Sequence, residues 1–170
     1  KGNITINGGK IKVNSYGDAV SAERNVIINS GDLDIYTYTG SKASQSDLST
    51  PPQGGGFPGM KEGNINKPDI SAKGIKGTVG IEINGGTINI DSTDDSIHSN
   101  GDTVINGGEM TLARSDDGIH SDKMLTINDG KINIKNSYEG IEAYDIEVKG
   151  GNIRVVASDD GFNAAGGDGS

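Results

Sequence analysis

The sequence predicts an all-β fold, a single-stranded, right-handed parallel β-helix (solenoid) of about six coils with roughly 22 residues each. The first observation is a turn signal, Asn-Gly-Gly or a close variant, that recurs along the chain and ends in glycine. These glycines are Gly9, Gly31, Gly86, Gly108, Gly130 and Gly151. The steps between them are 22, 55, 22, 22 and 21 residues, and the long step is 22 plus an insertion of 33. Right-handedness is the usual chirality of parallel crossovers.

The second observation is a set of four apolar columns that keep their positions in every repeat. Apolar residues alternate with polar ones along each predicted strand, which indicates that one face is buried. Ile and Val dominate, and these β-branched residues favour strands over helices. The columns are Ile6, Ile28, Ile83, Ile105, Ile127 and Val148; Ile11, Leu33, Ile88, Met110, Ile132 and Ile153; Val13, Ile35, Ile90, Leu112, Ile134 and Val155; and Val20, Ile75, Ile97, Ile119, Ile141 and Phe162. Asparagines at the turns (Asn7, Asn29, Asn84, Asn106 and Asn128) predict a ladder of side-chain hydrogen bonds.

Composition supports this fold and narrows the classes of partner. Hydrophobic residues make up 31% of the 170 residues, aromatics 4%, and there are 28 glycines, which suits many tight turns better than a thick layered core. A formal net charge of −9 argues against nucleic acid and fits a cation-binding surface. There is no cysteine, and no apolar run long enough to insert into a membrane.

We expect one β-helix domain over residues 1–170, interrupted by an inserted loop at about 37–69. All four prolines and the stretch GGGFPGM lie in this loop, which is either a spacer or a functional element. The chain opens at KGNITINGG, already within the repeat, so we expect a fragment of a longer solenoid. Uncapped coils expose strand edges, which would permit end-to-end self-association.

Acidic motifs recur beside the fourth apolar column: TDDSIHSN at 93–100, SDDGIHSD at 115–122 and SDDGFNAA at 158–165. Stacking would place their carboxylates about 4.8 Å apart along one edge, where like charges repel. Segment 91–122 holds eight acidic residues and a single base, Arg114. A hard cation with oxygen ligands, calcium above all, is the expected counter-ion. The alternative is that aspartate is an ordinary turn residue, which explains single acids better than pairs.

Several side chains near the acids are candidates for other roles. His98 and His120 are a weaker zinc signal than a Cys/His cluster, and are otherwise surface partners of the acids or sugar contacts. Tyr138 and Tyr144 lie near the acidic edge, where aromatic rings line sugar grooves or simply pack. In one coil Lys73 stands in the acid column and Lys76 in the column of the histidines, and we interpret both as solvated lysines that partly neutralise the edge.

The repeats INGGTINIDSTDDSIHSN, INGGEMTLARSDDGIHSD, INDGKINIKNSYEGIEAY and KGGNIRVVASDDGFNAAGG resemble a family of secreted bacterial carbohydrate-binding domain proteins. The resemblance implies a right-handed parallel β-helix similar in shape to pectate lyases, an extracellular or cell-surface location, bound calcium, and binding of acidic sugars such as polygalacturonate, and also cellulose. By motif it implies these calcium ligands: Asp94, Asp95, Asp116, Asp117, Glu139, Glu142, Asp159 and Asp160. The first two coils depart from the motif, with Gly17-Asp18 and Ala72-Lys73 in place of paired acids.

Three classes of function follow. The first, which we favour, is calcium-dependent binding of acidic polysaccharide without catalysis, with His98, His120, Tyr138, Tyr144, Lys73 and Lys76 as candidate sugar contacts. The second is a structural filament or adhesin stalk built from stacked coils. The third is a lyase similar to pectate lyases, in which only Lys73 or Lys76 could serve as the base, and either would need a lowered pKa.

Overall fold

A computed structural model describes residues 1–37 and 71–165 of the chain. These residues form strands joined by turns, without a helix, and the described part therefore holds no helix that could cross a membrane. The strands are β1 (Ile4–Ile6), β2 (Lys10–Ser15), β3 (Val20–Ala22), β4 (Asn25–Ile28), β5 (Asp32–Thr37), β6 (Ile75–Gly77), β7 (Gly80–Ile83), β8 (Thr87–Asp91), β9 (Ile97–Ser99), β10 (Asp102–Ile105), β11 (Glu109–Arg114), β12 (Asp117–Ile127), β13 (Lys131–Ser137), β14 (Glu139–Val148), β15 (Asn152–Ala157) and β16 (Phe162–Ala164).

The strands stack as a parallel β-solenoid of six coils, which confirms the predicted class. Each coil passes through three faces, and each strand pairs in parallel with its counterparts in the neighbouring coils. One face is the six-stranded sheet β2-β5-β8-β11-β13-β15. The other two faces join into a ten-stranded sheet, because β12 and β14 continue from the third face of one coil into the first face of the next.

The four apolar columns are in register as predicted and form the interior. Ile28 pairs with Ile83, Leu33 with Ile88, and the same register continues through the other coils. Most column residues are fully buried, and each buried Ile, Leu or Val contributes about 1.5–3 kcal/mol to folding. In the last coil Val148 is 47% exposed, so the core ends there among the described residues.

The turn between the first and second faces explains the repeated Asn-Gly-Gly. Each asparagine donates from Nδ2 to Oδ1 of the asparagine one coil earlier, and the four bonds of this predicted ladder measure 2.7–2.8 Å. The last glycine of the turn has positive φ, as at Gly86 with φ of 100°. A Cβ there would also lie 2.8 Å from the carbonyl oxygen of Gly31, so glycine is required on two counts.

The predicted insertion at 37–69 lies outside the described residues except for Thr37. The described residues on either side of this segment lie next to each other, because Thr37 Oγ1 donates to the carbonyl oxygen of Ala72 over 2.5 Å. The coil resumes in register, with Val20 of β3 paired to Ile75 of β6.

Candidate functional site

The acidic motifs stack along one corner of the solenoid, just before the third strand of each coil. We call this row of Asp94, Asp95, Asp116, Asp117, Glu139, Glu142, Asp159 and Asp160 the acid edge. Main-chain hydrogen bonds hold successive motifs together: Ser96 N donates to Asp117 O over 2.9 Å, and Gly140 N donates to Asp160 O over 2.9 Å. Asp117 and Glu139 are paired neighbours in β12 and β14. The fold thus stacks acidic residues on adjacent coils.

At one end of the acid edge a lysine supplies the counter-charge. Lys73 Nζ lies 2.7 Å from Asp94 Oδ2 and 3.2 Å from Asp95 Oδ2, and the side chains of all three are buried. Burial alone would lower the pKa of the Lys73 ammonium, but the two carboxylates outweigh it and the pKa is raised. The sequence-based interpretation of Lys73 as a solvated lysine was therefore wrong, although it does neutralise acids as expected. Lys76 makes a looser pair with Asp18, at 3.4 Å.

The two histidines occupy the centre of the acid edge and stack on each other, with ring centroids 4.8 Å apart. His98 Nδ1 lies 2.7 Å from Asp95 Oδ2. Burial would raise the pKa of Asp95, but the hydrogen bond to His98 and the charge of Lys73 hold it well below its usual range.

His120 has carboxylates at both ring nitrogens. Nδ1 lies 3.0 Å from Asp117 Oδ2 and 3.1 Å from Glu142 Oε2, and Nε2 lies 3.1 Å from Asp122 Oδ1. Burial acts to lower the pKa of His120, but the surrounding carboxylates raise it to about 9. His120 is therefore an imidazolium at neutral pH.

Beyond His120 the acid edge is not neutralised. Burial and the neighbouring charges of Glu142 and Asp159 raise the pKa of Glu139. Burial raises the pKa of Glu142 as well, although His120 acts in the opposite direction. Within residues 1–37 and 71–165, no lysine or arginine forms an ion pair with these three acids, and Glu139 receives one hydrogen bond, from Asn163 Nδ2 over 3.0 Å. The negative charge of this half of the edge is therefore not balanced by lysine or arginine among the described residues.

Three groups of side chains could hold a cation, since the ligand atoms within each group lie within 4.8 Å of one another. The groups are Asp94, Asp95 and Asp116; Asp95, His98 and His120; and Asp117, His120 and Glu142. Five of the eight predicted calcium ligands fall in these groups. In the described residues Glu139, Asp159 and Asp160 fall in none of them, but Glu139 and Glu142 share a hydrogen bond between their carboxyl groups.

An open groove of about 330 Å³ lies against the acid edge. Its lining consists of His120, Ser121, Asp122, Glu142, Ala143, Tyr144 and Ala165. The groove crosses β12 and β14 and reaches the residue after β16, so it spans three neighbouring coils. The Tyr144 side chain is 52% exposed and presents an aromatic face there, whereas Tyr138 is half-buried and outside the lining. An aromatic ring beside hydrogen-bonding groups is suited to a sugar ring.

Comparison with known proteins agrees with this arrangement. A family model described as "Carbohydrate-binding domain-containing protein" matches residues 1–118 and 113–161. The chain belongs to this family. No curated protein and no solved structure is significantly similar to the chain.

Sequence reasoning missed four polar residues of this carbohydrate-binding domain. Asp122 and Asn100 are equivalent positions two residues after each histidine, and Asn100 Nδ2 donates to Asp122 Oδ2 over 2.9 Å. Asn163 binds Glu139, and Asp18 accepts from Ser71 Oγ over 2.6 Å. A signal for Asp122 and Asn100 was present, since alternate residues of a strand share a face, and His98 and His120 were already assigned to the acid edge.

Proposed function

We propose that this carbohydrate-binding domain binds acidic polysaccharide through calcium held by the un-neutralised half of the acid edge, and that it does not cleave the polymer. The observation that carries the proposal is the position of Glu139, Glu142 and Asp159. Among the described residues none of these acids has a lysine or arginine partner. Glu142, which contacts His120, lines an open groove. An acidic polymer would be repelled by this surface unless a cation bridged the two. We propose an extracellular or cell-surface location to match such a ligand.

The donors at this end of the edge fit calcium. Calcium takes six to eight oxygen ligands at about 2.3–2.6 Å and tolerates irregular geometry. Three carboxylates supply part of such a shell, and the remaining positions would be open to uronate carboxylates, hydroxyl groups and water. Asp94 and Asp95 are less suited, because Lys73 already holds both carboxylates.

The groove supports a sugar chain that runs across the strands. Its volume of about 330 Å³ is at the lower end of ligand pockets, which suits one sugar ring at a time. Tyr144 provides the stacking face, and Asp122 and His120 provide polar contacts beside it. One exposed tyrosine is a small platform for flat cellulose, so the charged polymer is the better ligand.

The position of Lys73 argues against a lyase. A catalytic lysine must be unprotonated to remove a proton, which requires a lowered pKa. The pKa of Lys73 is shifted the other way, and its Nζ lies between Asp94 and Asp95, away from solvent. Lys76 lies next to Asp18 in the coil without paired acids.

The experiment is a binding titration of the metal-free protein with polygalacturonate, with calcium and then with excess chelator, and with neutral cellulose oligomers as the comparison ligand. We expect binding of the acidic polymer that requires calcium, and no growth of ultraviolet absorbance from unsaturated product. The double variant Glu139→Gln with Glu142→Gln should lose the binding, and Tyr144→Ala should weaken it at unchanged calcium affinity.

The matched control is Asp32→Asn with Asp34→Asn, which removes two acids from the six-stranded sheet, where they pair with Lys10 and Lys12. This control should bind like the parent protein. Binding that persists in chelator, or that falls equally in both double variants, would contradict the proposal. Steady product absorbance would identify an enzyme.

A further inference from the structure

We propose that Asp117, His120 and Glu142 form a second metal site, specific for a borderline divalent transition ion such as zinc, which shares Glu142 with the proposed calcium ligands. Imidazole nitrogen suits zinc, copper and nickel, whereas calcium prefers oxygen donors alone. Asp117 and Glu142 both belong to the acid edge, but the site does not depend on sugar binding.

The three ligand atoms already have suitable spacing. His120 Nδ1 lies 3.0 Å from Asp117 Oδ2 and 3.1 Å from Glu142 Oε2. A tetrahedral zinc ion with bonds of about 2.0–2.1 Å places its ligands about 3.3 Å apart, and an octahedral ion places them about 2.9 Å apart. Both distances from His120 Nδ1 are within a few tenths of an ångström of these values, and all three ligand atoms lie within 4.8 Å of one another. The ion would occupy the place now filled by the Nδ1 proton between the two carboxylates.

A separate feature orients the imidazole for this role. His120 Nε2 lies 3.1 Å from Asp122 Oδ1, and Asn100 Nδ2 fixes the other oxygen of Asp122 over 2.9 Å. Metal-bound histidines in proteins nearly always donate their second N–H to a carboxylate, a backbone carbonyl or water, which sets the tautomer and strengthens the ligand. With a proton held on Nε2, the Nδ1 lone pair is directed towards Asp117 and Glu142.

His98 occupies the same position one coil earlier and lacks this arrangement. Its Nε2 lies 3.4 Å from Asn100 Nδ2, which is a donor, so Nε2 accepts and the ring proton is on Nδ1 facing Asp95. The residue stacked on His98 in the next coil is His120 and not an acid. The two rings lie only 15° from parallel, so their in-plane lone pairs do not converge on one ion.

The difference between the two histidines arises from single residues in equivalent positions. One coil has the motif HSN, with Asn100 two residues after His98. The next coil has HSD, with Asp122 two residues after His120. His120 and Glu142 also line the open groove, so a bound ion would keep a side accessible to water or to an oxygen of a ligand.

Zinc titrated calorimetrically into metal-free protein near neutral pH, in a weakly coordinating buffer without calcium, tests the proposal. We expect one zinc per chain. His120→Gln should abolish the zinc isotherm, and Asp122→Asn should weaken zinc binding by about 10–100-fold, the usual cost of losing an orienting partner. His98→Gln is the matched control and should keep zinc affinity within a few-fold.

Nitrogen-15 spectra of the histidine side chains provide a direct readout. Zinc should shift the His120 Nδ1 signal and leave the His98 nitrogens nearly unchanged. Equal zinc affinity in His120→Gln, equal losses in both histidine variants, or the absence of a zinc isotherm would overturn the site. Zinc binding without calcium-dependent binding of polygalacturonate would support this site and refute only the proposed function. Calcium-dependent binding of polygalacturonate without zinc binding would support the proposed function and refute only this site.

Discussion

Lys73 Nζ lies 2.7 Å from Asp94 Oδ2, and the two residues belong to neighbouring coils. The coil that lacks an acid pair thus supplies the positive charge for the acid pair stacked on it. Asp95 Oδ2 completes the contact at 3.2 Å. The Lys73 ammonium group therefore provides the counter-charge for both carboxylates at this end of the acid edge.

Replacing this ammonium by an apolar group of similar length should destabilise the fold. Lys73→Met leaves two buried carboxylates without a counter-charge, and breaking a buried ion pair in this way costs about 3–5 kcal/mol. Lys76→Met is the control, since its pair with Asp18 is more exposed and should cost about 1 kcal/mol or less. The free energies of unfolding in urea at neutral pH compare the two. Equal losses would show that burial of the Lys73 pair has no energetic consequence.

The fold could be predicted almost completely from the sequence because the constraint is local and repeated. Each inward residue of a strand must stack on an inward residue of the next coil, so equal spacing fixes the register of Ile28 on Ile83 and of Ile97 on Ile119. Val148 lies in the last coil and is half-exposed, because no further coil among the described residues stacks on it.

The candidate site could be predicted only in part. Repeat spacing showed that the acids stack, but the charge balance depends on the direction of long side chains. Lys73 bends into the corner and is buried, and His120 contacts carboxylates from its own coil and the next. Asp122 binds the far side of the His120 ring, although it lies in the same motif. These contacts follow from rotamers, which a repeat pattern does not determine.

Calcium should raise the melting temperature of the metal-free protein. Binding to the native state alone adds about 2.7 kcal/mol when calcium is 100 times its dissociation constant. For a chain of 170 residues this corresponds to about 5–10 °C. Thermal unfolding followed by circular dichroism, with calcium and then with chelator, measures the shift. Glu139→Gln should reduce it and Asp32→Asn should not. Coincident curves for the parent protein in both conditions would show that calcium does not bind the fold.

The asparagine ladder should stabilise the solenoid in proportion to the bonds that each member makes. Asn106 donates to Asn84 and accepts from Asn128, each over 2.7 Å, whereas Asn7 accepts from Asn29 only. At about 0.5–1.5 kcal/mol per hydrogen bond, Asn106→Ala should cost about 1–3 kcal/mol and Asn7→Ala about half as much. Urea denaturation of the two variants provides the test. Equal costs would show that the ladder is not additive along the turn.

Stability should fall as the pH rises from 6.5 to 9, through the titration of His120. Burial would lower its pKa, but Asp117, Asp95 and Glu142 outweigh that effect and raise the pKa from 6.5 to about 9. A pKa that is higher in the folded state contributes stability that is complete below pH 6.5 and is lost as the pH rises through about 9.

At about 1.4 kcal/mol per pH unit this contribution is at most about 3 kcal/mol, and the 23% exposure of the side chain reduces it further. The pKa values of Asp117 and Glu142 are also raised and act in the same direction, but from ordinary values of 3.8 and 4.5. The free energy of unfolding should therefore decline over this pH range for the parent protein and for His98→Gln. It is measured on the metal-free proteins with chelator present. In His120→Gln the curve should be nearly flat above pH 6.5, because glutamine cannot titrate. Parallel curves for all three proteins would assign the pH dependence to another group and contradict the imidazolium form of His120 at neutral pH.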